Sequence, residues 1–364
     1  MLTHPFRPVA GPHGLPLLGN LPAFGRDPLA FLERLRDDYG DAVTWSLGPM
    51  RILFLAHPER IAELLGADER RYETLDAGWA FKRLIGNSVM RSQGAEWRRK
   101  RSMVQLTVRP RQVRRYATAM VDCAAALADH WRDGSRVDVL RQMSLLSQRI
   151  VVRTLFGNDL GQQARALGDA MTQAGQGIGA ELRGIGLFLP PWVRTHARRR
   201  LLAAVATIDN EIDRLIHARQ AAGDGHGSAE DLLSRLLAAH DEEGRPLTTT
   251  QVRDEAVTLW IGGHETTSTA LTWTWYLLSA SAAHGLRPQR WDAGPEQTTP
   301  PHAWFPFGGG QRACLGARFA LVETALVLAT LAQRFHLDIE GDPTPTAGLQ
   351  LQPATPLHAT LRTR

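Results

Sequence analysis

Apolar residues recur every three to four positions along most of this chain and alternate with a period of two only near its ends, so the pattern predicts helix almost throughout. Asp27-Pro28 opens the first clear helix, which is expected to run to Tyr39: the aspartate is an N-cap acceptor and the proline suits a first helical position. Ala42 to Leu47 and Arg51 to Ala56 then alternate around Gly48-Pro49 and predict a hairpin, after which Pro58 to Leu65 returns to helix. Another helix opens at Gly94. From Pro110 to His240 the period is helical, broken at Gly134-Ser135, Gly157-Asn158, Gly184 to Pro191 and Gly223 to Gly227. The stretch Gly175 to Trp192, with Pro190-Pro191, reads as an interhelical loop. A long apolar helix is predicted from about Thr248 to Ser281, and a further one after Cys314, where Leu315, Phe319, Leu321, Val322, Leu326, Leu328 and Leu331 keep the helical period. The end alternates again, Leu349 and Leu351 against Leu357, Ala359 and Leu361 around Pro353-Ala354-Thr355-Pro356, and predicts a terminal hairpin. The fold class is mainly α with a small β region.

Composition narrows the setting. With 364 residues and 43% hydrophobic content the chain is long enough for one large domain or two ordinary ones. Met1 to Pro8 lacks the apolar core of a signal peptide, and no apolar run approaches the ~18 residues of a membrane span, so neither export nor a membrane anchor is expected. The two cysteines, Cys123 and Cys314, lie in unrelated contexts and imply no disulfide framework, which suits a reducing cytoplasm. The net charge of +5 is carried almost wholly by arginine, Lys82 and Lys100 being the only lysines. It is too diffuse to argue for nucleic acid, and an acidic protein partner is the better use of a basic face.

Three constellations carry chemistry. The run Phe305 to Ala320 sets Cys314 between a glycine loop, Gly308-Gly309-Gly310, and a helix. Successive glycines permit positive φ and close approach to a flat, bulky group. A sulfur at a helix start is favoured as thiolate, and a thiolate axial to haem iron favours O–O cleavage. The competing reading is a buried structural cysteine. Within the long apolar helix lies Gly262-Gly263-His264-Glu265-Thr266-Thr267. Interior glycines cost about 1 kcal/mol each relative to alanine, and an acid and hydroxyls in apolar surroundings need partners or water, together forming a proton relay. A kinked helix with a threonine cluster is the alternative. Finally, Trp97 and Arg101 stand one turn apart on one face, two donors suited to a carboxylate, while Arg98, Arg99 and Lys100 are expected to face away as solvated surface.

The spacing Phe307-x-x-Gly310-x-Arg312-x-Cys314-x-Gly316 resembles the haem-binding signature of the cytochrome P450 family, with every defining position filled. The resemblance covers most of residues 10–280 and 286–364. It implies one domain over 1–364: a mixed β region at 1–70, a helical region at 71–281 with the dioxygen-binding helix at 248–281, a shortened linker at 282–304, then the cysteine loop, helix and terminal hairpin at 305–364. It implies haem b (iron protoporphyrin IX) ligated by Cys314, with Phe307 shielding the sulfur and Arg312, Trp97 and Arg101 on the propionates. Gly310 belongs to the loop, Gly316 lets the next helix pass close to the ring, and Gly262 and Gly263 admit the ligand plane. Thr266 would hydrogen-bond dioxygen and Glu265 would feed the proton relay that splits it. Gly175 to Trp192 would be a mobile loop over a pocket. The implied activity is a bacterial-type monooxygenase acting on a small apolar organic substrate. Its electrons would come from a separate donor, a ferredoxin with its reductase, since only about 50 residues follow Cys314.

One part of the family pattern is missing. Thr266 and Cys314 are 48 residues apart, and the family places several helices, including one with a Glu-x-x-Arg motif, in that interval. Here the interval offers Glu296 followed by Gln297-Thr298-Thr299, and Glu265 is followed by Thr266-Thr267-Ser268. The motif occurs at Glu33–Arg36, Glu96–Arg99 and Glu211–Arg214, all before the dioxygen helix. An internal block is absent, and breaking a buried pair of this kind costs about 3–5 kcal/mol. Two rival readings follow: a non-catalytic remnant that binds haem weakly or not at all, and a thiol-nucleophile enzyme for which His302 is the single nearby base.

Overall fold

Asp27 does what its position predicts: its carboxylate accepts from Ala30 N at 3.0 Å, Pro28 fills the first helical position, and the helix runs Pro28–Tyr39. The computed structural model describes residues 10–67, 78–157, 163–183, 189–190, 192–222, 231–279, 289, 292, 294, 299–347 and 350–364. Contacts gather the chain into two units, residues 1–72 with 287–314, and residues 73–286 with 315–364.

In the first unit α1 (Leu21–Arg26) and α2 (Pro28–Tyr39) precede an antiparallel hairpin of β1 (Ala42–Leu47) and β2 (Met50–Leu55), in register from Ala42↔Leu55 to Leu47↔Met50. Gly48, at φ +57°, and Pro49 make the turn, as the sequence predicts. Val43, Trp45 and Leu47 point to one buried face, where Trp45 packs on Phe24 and Phe31. Helix α3 (Pro58–Gly66) follows, and the short 3₁₀ turn Gly310–Arg312 of the cysteine loop packs on it.

The second unit holds α4 (Gly78–Ile85), α5 (Gly94–Gln105), α6 (Pro110–His130), β3 (Arg136–Asp138), α7 (Val139–Phe156), α8 (Gln163–Arg183), α9 (His196–Ala222), α10 (Leu232–Leu237), α11 (Thr249–Ser279) and α12 (Ala317–Ala332). The short strands β4 (Phe335–Ile339), β5 (Pro345–Ala347), β6 (Leu351–Pro353) and β7 (His358–Thr363) follow. The fold class is mainly α with small sheets. Helix α11 is the axis: it packs most extensively on α7 and also on α4, α9, α10 and α12. Phe156 meets Trp260 edge-on at 5.6 Å in a core that includes Ile150, Ile208, Ile212, Val257 and Leu271.

Two sequence expectations need correction. The terminal strands do not form a hairpin with each other: β6 pairs with β5, whereas β7 is the middle strand of a separate sheet, β3-β7-β4. β7 is thereby satisfied on both edges by distant partners that local alternation cannot reveal. Nor is Gly175 to Trp192 wholly loop, because α8 continues to Arg183; residues 184–188 and 191 lie outside the described residues. Gly175 and Gly177 serve packing. A Cβ at Gly175 would stand 2.6 Å from Glu265 Oε1, and one at Gly177 would stand 3.1 Å from Leu201 Cβ.

Candidate functional site

The cysteine loop is held by its backbone. Gly308 and Gly310 take φ of +68° and +64°, and Cys314 N donates to Phe307 O at 2.9 Å, so the ends of the loop are tied together. The Cys314 side chain is exposed and unpaired with Cys123, which is buried. The glycines also have a protein neighbour: a Cβ at Gly310 would fall 1.9 Å from Leu65 O, and one at Gly309 2.9 Å from Leu65 Cδ1. Close approach to α3 thus requires the glycines at 309 and 310. Gly316 then N-caps α12, its carbonyl accepting from Ala320 N at 2.8 Å. Arg312 ends the 3₁₀ turn and is partly exposed.

In the second unit α11 runs unbroken through the glycine pair, and the two glycines differ. A Cβ at Gly263 would meet Val151 Cγ2 at 3.1 Å, so this glycine seats α11 on α7; at Gly262 no described residue lies within 4 Å. Gly262, Thr266 and Ala270, spaced by four, form an exposed stripe of small residues on a helix otherwise buried at Trp260, His264, Thr267, Leu271 and Thr272. Thr266 Oγ1 donates to Gly262 O at 2.5 Å. Glu265 points elsewhere, into a small cavity lined by Phe81, Leu84, Met171, Ile178 and Ile261, and burial raises its pKa above the ordinary glutamate range. His264 contacts Ser144 Oγ and O at 3.0 and 3.1 Å, and burial lowers it to about 4.

Trp97 and Arg101 do share a face: the guanidinium lies 5.5 Å from the centroid of the buried indole. The neighbouring charges depart from expectation. Arg98 is exposed, but Arg99 bonds Asp241 at 2.5 Å and Lys100 is fully buried, paired with Glu96 at 2.7 Å and donating to Asn87 O. The same segment bonds the start of α11, Asn87 N to Asp254 and Val89 N to Glu255, each at 2.8 Å. A run of basic residues carries no mark of which member turns inward. The signal was Glu96, four residues before Lys100.

Buried carboxyls give a pH dependence. Glu323 of α12 is fully buried, and burial pushes it up to about 8; the nearby Ser147 hydroxyl opposes the shift without reaching hydrogen-bond geometry. A glutamate with a folded pKa above its unfolded one binds more protons folded than unfolded, so stability falls as pH rises from 4.5 to about 8. Glu323→Gln is expected to remove a slope of up to about 1.4 kcal/mol per pH unit, read as the pH dependence of the urea midpoint. An unaltered slope would show that Glu323 is not the group responsible.

The donor set fits haem. Cys314 offers one exposed sulfur on a tied loop, the kind of donor suited to an iron that brings most of its ligands with it. The stripe of small residues on α11, where a Cβ at Gly262 would meet none of the described residues, suits a flat group. The sequence model of the family described as Cytochrome P450 matches residues 9–284 and again 281–358. The chain belongs to the cytochrome P450 family. Among its relatives, a cyclooctatin synthase of Streptomyces melanosporofaciens is 33% identical over 76% of this chain and 60% of its own length. The match to that relative therefore spans less than two thirds of it. The cyclooctat-9-en-7-ol 5-monooxygenase of the same organism is 27% identical over 92% of this chain and 90% of its own. The pentalenene oxygenase of Streptomyces avermitilis is 26% identical over 94% of each. The retinoic acid-bound structure of cyanobacterial CYP120A1 superposes with a TM-score of 0.82 at 20% identity, covering 98% of this chain and 100% of that one, and shares the fold.

Membership fixes the enzyme type, a cytochrome P450 monooxygenase with haem as cofactor; such enzymes use dioxygen and a separate electron donor. It also locates the missing block. The family match comes in two pieces meeting at residues 281–284, and the alignments to the two longer-matched relatives, 432 and 435 positions, exceed the 364 residues of this chain. The junction lies outside the described residues; just before it Leu277 and Leu278 are exposed on α11. Among the described residues no helix is long and apolar enough to cross a membrane.

Proposed function

We propose that this chain holds haem b through the Cys314 thiolate and inserts one atom of dioxygen into an apolar organic substrate. The other atom leaves as water, with electrons from a ferredoxin served by its reductase. The observation that carries this reading is the exposed Cys314 side chain, presented by a tied loop that fills the family signature. Arg312, Trp97 and Arg101 would hold the propionates, Phe307 would shield the sulfur, and Gly310 and Gly316 would keep the backbone close. When bound, haem supplies the centre at which dioxygen is reduced and split.

The protein's own contribution is to position a hydroxyl and manage protons. Thr266 commits its hydroxyl proton to Gly262 O and leaves its oxygen to accept a hydrogen bond at the open stripe. Glu265, raised by burial, holds a proton closer to neutral pH than a solvated glutamate and can release and recover it. Thr266→Ala is expected to leave haem binding unchanged and lower product formed per electron pair about ten- to hundredfold, the difference appearing as hydrogen peroxide. An unchanged ratio of product to peroxide would remove Thr266 from this role.

For substrate we extend to this chain what the relatives' names state, a cyclic alkene or alkenol. The cavity beside Glu265, aliphatic and aromatic apart from Glu265 and His264, has a volume of about 20 Å³, room for a water molecule and not for such a ring. The first experiment is the ferrous–carbon monoxide difference spectrum of the chain expressed with haem supply. The red-shifted Soret band of a thiolate-ligated complex supports the reading, and a band of the inactive, thiolate-free form or no haem overturns it. That second outcome would favour the remnant reading, for which the missing Glu-x-x-Arg helix is the specific argument.

A further inference from the structure

Helix α11 is bonded from outside at the step that carries its chemistry. Gln350, half-buried and immediately before β6, reaches the helix with its side-chain amide. In the orientation that satisfies both ends of the amide, Oε1 accepts from Thr266 N at 3.0 Å. Nε2 then donates to Glu265 O at 2.7 Å and to Thr269 Oγ1 at 2.8 Å. One turn further on, Trp273 Nε1 donates to Leu351 O at 2.8 Å, so consecutive residues of the terminal segment are clipped to consecutive turns of α11.

A helix N–H normally finds its acceptor four residues back in the same helix, and a side chain entering that ladder is a recognised cause of local distortion. Thr266 has such an outside acceptor for its N–H, while its hydroxyl engages the Gly262 carbonyl at 2.5 Å. The Glu265 carbonyl likewise takes two side-chain donors, Gln350 Nε2 and Ser268 Oγ at 3.0 Å. The backbone on either side of the Glu265–Thr266 peptide is thereby fixed by one amide from a distant part of the chain. A glutamine is suited to this because it offers a donor and an acceptor at fixed separation.

We propose that Gln350 is a positioning residue. It holds the Glu265–Thr266 step of α11 so that the Thr266 hydroxyl stays on the open stripe and the Glu265 side chain stays in its cavity. The catalytic consequence rests on the function proposed above; the hold on the helix does not.

The test compares the full chain, purified with haem supply, with Gln350→Met and Gln350→Glu. Methionine keeps the length and loses all three hydrogen bonds. Glutamate, when ionised, keeps the acceptor for Thr266 N and loses both donors. Hydrogen exchange at the Thr266 amide, read by mass spectrometry with single-residue fragmentation, is expected to quicken about three- to tenfold in Gln350→Met, and less in Gln350→Glu. With haem bound, the ratio of product to peroxide should fall in the same order while KM is unchanged. Exchange unaffected by Gln350→Met overturns the proposal, because a packing role alone would leave that amide protected. Faster exchange with an unchanged product ratio, in protein that gives the thiolate carbon monoxide band, overturns its catalytic part. If the unsubstituted chain lacks that band, the proposed function has failed and exchange alone decides whether Gln350 holds Thr266.

Discussion

Cys314→Ser is expected to abolish the thiolate carbon monoxide band and to lower monooxygenation at least about a thousandfold, while the chain keeps its fold. The fold should survive because the residue contributes little packing: its side chain is exposed, and the bond that closes the loop is made by its backbone N–H to Phe307 O, which serine retains. Cys123→Ser is the matching control. Cys123 is buried in α6, and burial raises its thiol pKa, so it is held as the neutral thiol and offers no thiolate for iron. Its replacement should leave the spectrum intact at some cost in stability. If Cys314→Ser kept the band, or Cys123→Ser lost it, the ligand assignment would be wrong.

The ligand loop was legible because its signal is local. Phe307, Gly310, Arg312, Cys314 and Gly316 lie within one short run, and the positive φ at Gly308 and Gly310 is the conformation that successive glycines announce. The cap at Asp27, the turn at Gly48-Pro49 and the breaks between α6 and α9 were readable for the same reason. What escaped was set by distant partners. The glycines at 175 and 177 look like loop residues, yet a side chain at either would crowd Glu265 or Leu201. Lys100 sits among exposed-looking arginines, and although Glu96 one turn away hints at its pairing, it is buried where the Asn87 carbonyl also receives it. Strand β7 pairs with segments far away in sequence, and Gln350 carries no mark of its attachment to α11. Glycine is ambiguous in a single sequence because absence of a side chain serves both a bend and a close contact.

The turn between α8 and α9 shows how much such a distant partner can carry. Arg198→Ala is expected to destabilise the chain by about 3–5 kcal/mol, a large share of the ~5–15 kcal/mol that holds a domain folded. The guanidinium is 1% exposed and is used on every side. Nε and Nη2 donate to Glu181 Oε2 at 3.0 and 2.9 Å, and Nη1 donates to the carbonyls of Pro190 and Val193 at 2.6 and 3.0 Å. Nη2 also reaches Leu189 O at 3.1 Å, and the group lies 5.1 Å from the centroid of the Trp79 ring. Truncation leaves a buried carboxylate and three carbonyls without their donor, which costs more than the pair itself was worth. Lysine cannot repeat this planar fork, so Arg198→Lys should recover only part of the loss. The cost should shrink when Glu181→Gln is introduced beside Arg198→Ala, since the stranded charge is then gone; urea denaturation of the single and double variants measures that coupling. A loss below about 1 kcal/mol for Arg198→Ala would mean that the turn is held by something other than this arginine. The turn also fixes α8, whose Gly175 sets the wall against Glu265, so a turn loosened at Arg198 should widen that cavity and let more water reach the Glu265 carboxyl.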